Sequence, residues 1–306
     1  MIKIENFCFS YRETAIFESV STTLNNGDIV GLVGKNGTGK STLLKILSTS
    51  LLPRNYKRGT ILINQLDIKQ DRHKIKQFVQ YISGGERGLY YNLTGYENLE
   101  LYCYLNKVKE DRKKKIIDAL SFMGLEKFAN IKVSKYSLGM KQRLHLCKMF
   151  LVEASILLLD EPTNGLDSEI VDMVEKAIKQ KSENGTCIIF TSHRMEEIIT
   201  LSTKVLLITS KKLEEFEAGS LSNLIGERAY FTEVTFFKEP ELDFLENIKE
   251  FLECGSGKKI TVNLPLNELT KILPQNIFPM IMSIRQIENF EWYYSKIKSA
   301  KSRRNV

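Results

Sequence analysis

Along the chain, short unbroken apolar runs alternate with stretches in which apolar residues recur every three or four positions. Ile2-Lys3-Ile4-Glu5 alternates with period two and predicts a strand. After the turn-forming Asn25-Asn26-Gly27-Asp28, the run Ile29-Val30-Gly31-Leu32-Val33 predicts a buried one. A glycine-rich loop from Gly34 to Lys40 comes next. Behind it Leu43, Leu44, Leu47 and Leu51 fall on one helical face, and this pattern stops before Pro53. Residues 60–82 predict short strands around a polar segment, while Tyr96–Tyr104 and Lys113–Met123 predict helices, the second ending near Gly124. A helix over Met140–Leu151 leads into the strand Ile156–Leu159. A helix over Ser168–Ser182, closed by Asn184-Gly185, a strand over Thr186–Thr191 and another over Val205–Thr209 complete the series. Apolar strands alternating with helices define an α/β fold whose largely parallel sheet is covered on its faces.

Near Glu214–Ser220 the composition shifts to a charged stretch ending in Ala-Gly-Ser, and a domain boundary is expected there, with residues 1–218 before it and 219–306 after it. Beyond it, Tyr230–Phe237 and Ile260–Leu264 predict strands, Glu241–Glu253 a helix and Gly255-Ser256-Gly257 a turn, together a small C-terminal α/β appendage. With 306 residues, 42% apolar and 26% charged, the chain is not a disordered one. No run approaches the ~18 consecutive apolar residues that a membrane span needs. The start shows no basic region, apolar core and cleavage site in succession, so no secretory signal is expected and a cytoplasmic location follows. Five cysteines, widely spaced and never in Cys-x-x-Cys, argue against a disulfide framework and a zinc site.

The net charge of +7 suggests a nucleic-acid partner until it is divided along the chain. Residues 1–218 carry +6, residues 219–295 carry −4, and the final eleven carry +5 in Lys296, Lys298, Lys301, Arg303 and Arg304. Such a diffuse excess plus a tail leaves no nucleic acid expected. Trp292, Tyr293 and Tyr294 precede the tail, a combination suited to peripheral contact with anionic lipid headgroups and equally to a solvated, frayed helix end.

Gly34-Lys35-Asn36-Gly37-Thr38-Gly39-Lys40-Ser41 has the spacing G-x-x-x-x-G-K-[ST], between a predicted strand and a predicted helix. Glycines let the backbone curl so that its N–H groups point at phosphate oxygens, and the helix behind presents its positive N-terminus to the same charge. Lys40 is placed to neutralise the β- and γ-phosphates and Ser41 to offer its hydroxyl to Mg²⁺, with Thr42 completing the nucleotide-binding set. Further on, Ile156–Leu159 delivers two adjacent carboxylates, Asp160 and Glu161, at the carboxyl end of a buried strand, ahead of Pro162-Thr163. Asp160 suits the Mg²⁺ shell, and Glu161 suits a general base that polarises an attacking water. Standing alone, the pair also reads as a cap at a strand-to-helix turn. Between the two motifs, Tyr136-Ser137-Leu138-Gly139-Met140-Lys141-Gln142-Arg143-Leu144 predicts by itself only a helix N-cap at Ser137, with Gly139 allowing close backbone approach.

The order of these segments, with Gly165-Leu166-Asp167 and Thr191-Ser192-His193 after them, resembles the nucleotide-binding subunits of ATP-binding-cassette (ABC) transporters over roughly residues 1–218. The resemblance implies a P-loop NTPase cassette with a helical subdomain at about 88–152. It implies that Ser137 and Gly139 belong to the signature loop, which binds the γ-phosphate of ATP held by the opposite subunit. A head-to-tail homodimer or heterodimer around two ATP molecules follows. Asp167 resembles the D-loop aspartate and His193 the switch histidine that contacts the γ-phosphate. Tyr11 lies where the family stacks an aromatic ring on adenine, a half-buried strand tyrosine being the alternative. His73 and His145 match nothing in the pattern.

Two departures stand out. The signature reads Tyr136-Ser137-Leu138-Gly139-Met140 where the commonest form is Leu-Ser-Gly-Gly-Gln, a variant similar to those of bacterial exporters of drugs and peptide antibiotics. The Q-loop glutamine is absent. After the strand at Gln77–Ile82 its place falls on Gly85 or Glu86, and Glu86 is expected to substitute as an oxygen ligand of the metal. The resemblance thus implies an ATPase using ATP and Mg²⁺ at the cytoplasmic face of the membrane. It would energise a separate transmembrane permease, touched through Gly88–Leu105, and export a drug, peptide or antibiotic. The alternative, an ABC ATPase acting on ribosomes or nucleic acid, calls for a second cassette or a long coiled-coil insertion, and the sequence has neither. A dead nucleotide-binding module is opposed by Lys40, Asp160, Glu161 and His193.

Overall fold

The structure, a computed structural model, describes residues 2–51, 58–83, 88–221, 230–238, 252–256, 258–262 and 266–288. Two compact units make up the chain, Met1–Ser220 and Leu221–Val306. In the first, β1 (Ile2–Tyr11) and β2 (Thr14–Leu24) form a hairpin, and β1 pairs on its other side with β4 (Arg58–Ile63), which pairs with the short β5 (Leu66–Asp67). This sheet is antiparallel throughout. A second sheet has the order β10-β9-β3-β8-β7-β6. Its members are β3 (Ile29–Gly34), β6 (Val79–Ser83), β7 (Ile156–Asp160), β8 (Cys187–Thr191), β9 (Lys204–Thr209) and β10 (Lys212–Glu217). All run parallel except β10, which turns back on β9 through Ser210 and Lys211, both at positive φ (48° and 64°). Two consecutive left-handed residues match the right-handed twist of the strands they join. The charged Glu214–Ser220 stretch is therefore in part an edge strand.

Helix α1 (Lys40–Leu47) buries Leu43, Leu44, Ile46 and Leu47 in a core shared by the two sheets. Burying each such side chain stabilises the fold by about 1.5–3 kcal/mol. The periodicity runs on to Leu51, but the helix does not: Thr49 takes φ 58°, and Leu51 reaches the core from a bend, its N–H donating to Lys45 O at 3.0 Å. Helix α2 (Arg72–Ile75) follows β5 and sends Ile75 into the same core, and the helical region holds α3 (Gly95–Leu105), α4 (Arg112–Phe122) and α5 (Leu138–Leu151). A reciprocal cap starts α3, Thr94 Oγ1 accepting from Glu97 N and Glu97 Oε2 accepting from Thr94 N. After α4, Gly124 at φ 63° reverses the chain, and Leu125 N–H closes on Leu120 O at 2.7 Å. Then follow α6 (Ser168–Glu183) and α7 (Met195–Leu201). No described helix is long and apolar enough to cross a membrane.

On α5, Lys148 is only 8% exposed; its Nζ donates to Gly88 O at 3.1 Å and lies 3.2 Å from His145 Nδ1. Burial pushes this ammonium down to about 8 from the usual 10.5, against the opposing charge of Cys147. Between these values the unfolded chain holds a proton that the folded chain lacks, so this residue's contribution makes stability rise with pH from about 8 to about 10.5. Urea unfolding of the native chain and of Lys148→Met at pH 7, 8, 9 and 10 is expected to show the native chain gaining on the variant above pH 8, by at most about 3 kcal/mol. A difference independent of pH counts against it. His145 is a core residue and His73 an exposed one.

The second unit contains β11 (Tyr230–Phe236), β12 (Leu252–Ser256), β13 (Lys259–Val262) and β14 (Ile281–Glu288) in the antiparallel order β12-β13-β11-β14, with α8 (Leu266–Ile272) beside them. Leu269 from α8 joins Val234, Phe236, Ile260 and Val262 in its core. Leu252, at the end of the expected helix, and Gly255 and Ser256, expected in a turn, belong instead to β12: Leu252 pairs with Val262 and Ser256 with Lys259. The rest of that helix (241–251), Gly85 and Glu86, Trp292–Tyr294 and the basic tail lie outside the described residues.

Candidate active site

The order β3-β8-β7 brings three distant parts of the chain to one sheet edge. Leu32 lies opposite Thr191 and Thr191 opposite Asp160, so the loops after Gly34, Thr191 and Asp160 leave adjacent carboxyl ends. That edge is where open α/β sheets bind ligands.

After β3, Lys35, Asn36 and Gly37 are exposed, and Thr38 bonds back to Lys35 O through both its N–H (3.2 Å) and its hydroxyl (2.9 Å). Gly39, at φ 110°, could carry no side chain: an added Cβ would stand 2.6 Å from Ile16 Cγ2 and 2.9 Å from Phe17 Cζ. Lys40, Ser41 and Thr42 form the first turn of α1, which holds no acidic residue, so its positive end is left to an outside anion. Lys40 Nζ curls over the loop to Gly34 O (2.5 Å) and Lys35 O (3.2 Å). Burial lowers its affinity for the proton, while the charges of Glu161 and Asp160 raise it. Tyr11 ends β1, a residue 44% exposed whose ring stands edge-on to Phe9 at 5.0 Å, on the hairpin that supplies Ile16 and Phe17 to the loop.

Asp160 accepts from Thr191 Oγ1 (2.8 Å) and Tyr81 OH (3.1 Å). The same Thr191 hydroxyl accepts from the Glu161 N–H at 2.9 Å, so one threonine fixes both neighbours. Burial, then the Asp160 charge, pushes the Tyr81 phenol upward and keeps it a donor. Glu161 has φ 52°, a left-handed conformation uncommon outside glycine that turns its side chain out of the strand direction. Its carboxylate meets His193 Nε2 at 2.5 Å and Asn164 Nδ2 at 3.1 Å. From α5 the buried Gln142 donates to Glu161 O (3.2 Å) and Pro162 O (2.9 Å). Ser137 caps α5 by accepting from Met140 N at 3.2 Å. Gly139 approaches Gly165 O, Leu138 between them is 62% exposed, and Asp167 occupies the N-cap of α6.

A cleft of about 310 Å³ is lined by Ser41, Leu138, Gln142, Asp160, Glu161, Asn164 and Gly165. The chemistry of this donor set fits a magnesium nucleotide. Among the described residues no group of three or more His, Cys, Asp or Glu is arranged to hold a metal, and Mg²⁺ characteristically takes one or two protein oxygens, with phosphates and water supplying the others. Thr163, Thr191, Ser192 and Gln142 lie inside the motif segments but carry no role that the sequence alone assigns, and Glu197 lies outside them. The only sequence signal of Gln142 is that of a polar residue with apolar neighbours on the helix that opens at Ser137.

The family described as "ABC transporter" matches residues 17–164. An ABC transporter ATP-binding protein of Bacillus subtilis, YybJ, is 36% identical over 217 residues, 71% of this chain and 96% of its own length. The chain belongs to the ABC transporter ATP-binding proteins. As an ABC cassette it is an ATPase, the energising subunit of a transporter. The cassette is also similar to the bacitracin transport ATP-binding protein BcrA of Enterococcus faecalis (36% identity, 65% of this chain and 63% of that one). It resembles the lantibiotic transport ATP-binding protein SrtF of Streptococcus pyogenes as well (32%, 70% and 89%). Among solved structures, an ATP-binding subunit of an ABC transporter matches the fold with TM-score 0.66 at 22% identity, covering 74% of this chain and 93% of that one. A dimeric cassette in a post-hydrolysis state bound to ADP and Pi matches with TM-score 0.63 at 22% identity, covering 71% and 99%.

Proposed function

We propose that this ABC cassette, as residues 1–218, powers export of a peptide-like antibiotic or drug through a separate membrane permease at the cytoplasmic face, and does so as a head-to-tail dimer with two ATP molecules between its subunits. The observation that carries the hydrolytic part is the convergence of Lys40, Asp160, Glu161 and His193 on one sheet edge. Similarity to the bacitracin and lantibiotic transport proteins supports the substrate class.

In this reading Gly34–Thr42 wraps the phosphates, and Tyr11 offers its exposed ring to adenine. Ser41 and Asp160 would hold Mg²⁺, which would offset phosphate charge when bound. Glu161 takes a proton from water as the water oxygen bonds to the γ-phosphorus. The bond from that phosphorus to the β–γ bridging oxygen breaks, its electrons staying on ADP. His193, held by Glu161, donates to the γ-phosphate. Ser137 and Gly139 serve the γ-phosphate bound by the opposite subunit, to which the exposed Leu138 also turns.

The test is reconstitution with a candidate permease of the same genome, in vesicles, with ATPase read against added bacitracin-type and lantibiotic peptides. Several-fold stimulation by one of them is the expected result. ATPase indifferent to every such peptide, with co-purifying RNA, would favour the ribosomal alternative.

A further inference from the structure

Behind the Glu161–His193 pair lies a carboxylate with no assigned role. Glu197, on α7, is 2% exposed. Thr163 Oγ1 lies 2.9 Å from both of its oxygens, and Ser192 Oγ donates to Oε2 at 2.6 Å. The Ser192 hydroxyl has its proton committed in that direction, because its oxygen accepts from the Arg194 N–H at 2.9 Å. Glu197 is therefore bonded to a hydroxyl from each of two turns. Thr163 stands two residues after Glu161, and Ser192 directly before His193. A carboxylate shut away from water costs several kcal/mol unless hydrogen bonds offset it. Here the bonds that offset it are the ones that join the turn after β7 to the turn after β8.

We propose that Glu197 is a positioning residue for hydrolysis. It fastens these two turns together and so sets the distance and angle between the Glu161 carboxylate and the His193 ring. Glu161 itself is at a left-handed φ, and its backbone is held from one side by Thr191 and from the other by Gln142. Glu197 supplies the equivalent restraint one layer deeper, through the buried side chains of Thr163 and Ser192, which do not line the cleft.

The proposal rests on Glu161 and His193 acting as the hydrolytic pair, and a double-mutant cycle on the full chain separates the two claims. ATP turnover, KM for ATP and thermal midpoint are measured for Glu197→Gln, His193→Ala and the double variant, the slow ones under single-turnover conditions. Glu197→Gln is expected to lower kcat about 10- to 100-fold with KM within about twofold. In the His193→Ala background the same change is expected to lower it less than about threefold, since the pair it positions is already broken. Thr163→Val and Ser192→Ala, which keep the carboxylate, are each expected to reproduce part of the loss and carry the same test should Glu197→Gln fail to fold. A full, additive loss in an impaired His193→Ala background overturns the proposal alone. Undiminished turnover in His193→Ala overturns the pair and the proposal with it.

Discussion

Glu161→Gln is expected to bind ATP, to lose turnover by about 10²- to 10⁴-fold, and to accumulate as an ATP-bound dimer. Glutamine keeps the volume of the side chain and tolerates the left-handed backbone no worse than glutamate, so the cradle of Thr191 and Gln142 is retained. It still offers an oxygen to Asn164 or His193, but an amide takes no proton from water at neutral pH. Binding energy that closes the dimer is then left in place while the step that reopens it is lost. Size-exclusion chromatography with and without ATP reads the first consequence and phosphate release the second. Normal turnover in this variant would mean that the base is elsewhere.

Lys40→Ala is expected to have the opposite profile, with weakened nucleotide binding and no trapped dimer. In this structure the ammonium rests on Gly34 O and Lys35 O, two carbonyls at the mouth of the loop. The charges of Glu161 and Asp160 counter the effect of burial and favour the cationic form that phosphates require. Each hydrogen bond from a cation contributes about 1.5–3 kcal/mol, so losing the two that Lys40 would donate to the β- and γ-phosphates weakens ATP binding by about 10²- to 10⁴-fold. The fold itself is expected to lose little, since Lys40 is partly exposed and its bonds stay within one loop. Calorimetric titration with magnesium ATP, beside a thermal melt without nucleotide, separates the two. A variant that binds ATP as tightly as the native chain would remove Lys40 from the site.

Local chemistry made much of this readable in advance. Ser137 caps α5 as its residue type and place suggest, and the buried strands β3, β7 and β8 coincide with unbroken apolar runs, because both signals are complete within a few residues. Where the reading fell short, distance along the chain was the reason. Strand β2 alternates Phe17, Val20, Thr22 and Leu24 inward among serines and threonines, a face that acquires meaning only once β1 pairs with it. Strand β10 reads as a charged boundary stretch because an edge strand tolerates charge: Lys212 and Glu217 are exposed, and Glu215 finds Thr22 and Lys204 on neighbouring strands. Thr191, Gln142 and Glu197 are polar residues among buried neighbours, and their bonds to Glu161 and Thr163 span 19 to 34 positions, beyond any periodicity.

The strand order β3-β8-β7 also has a consequence in time. β8 comes off the ribosome after both of the strands it separates, yet it must insert between them before Leu32, Thr191 and Asp160 can stand side by side. A chain that ends short of His193 therefore possesses the phosphate loop and both acidic residues without possessing a site. Parallel pairings of such long separation are among the slowest to form. The growing polypeptide thus stays unable to consume ATP until His193 has been made and the central strand is in place.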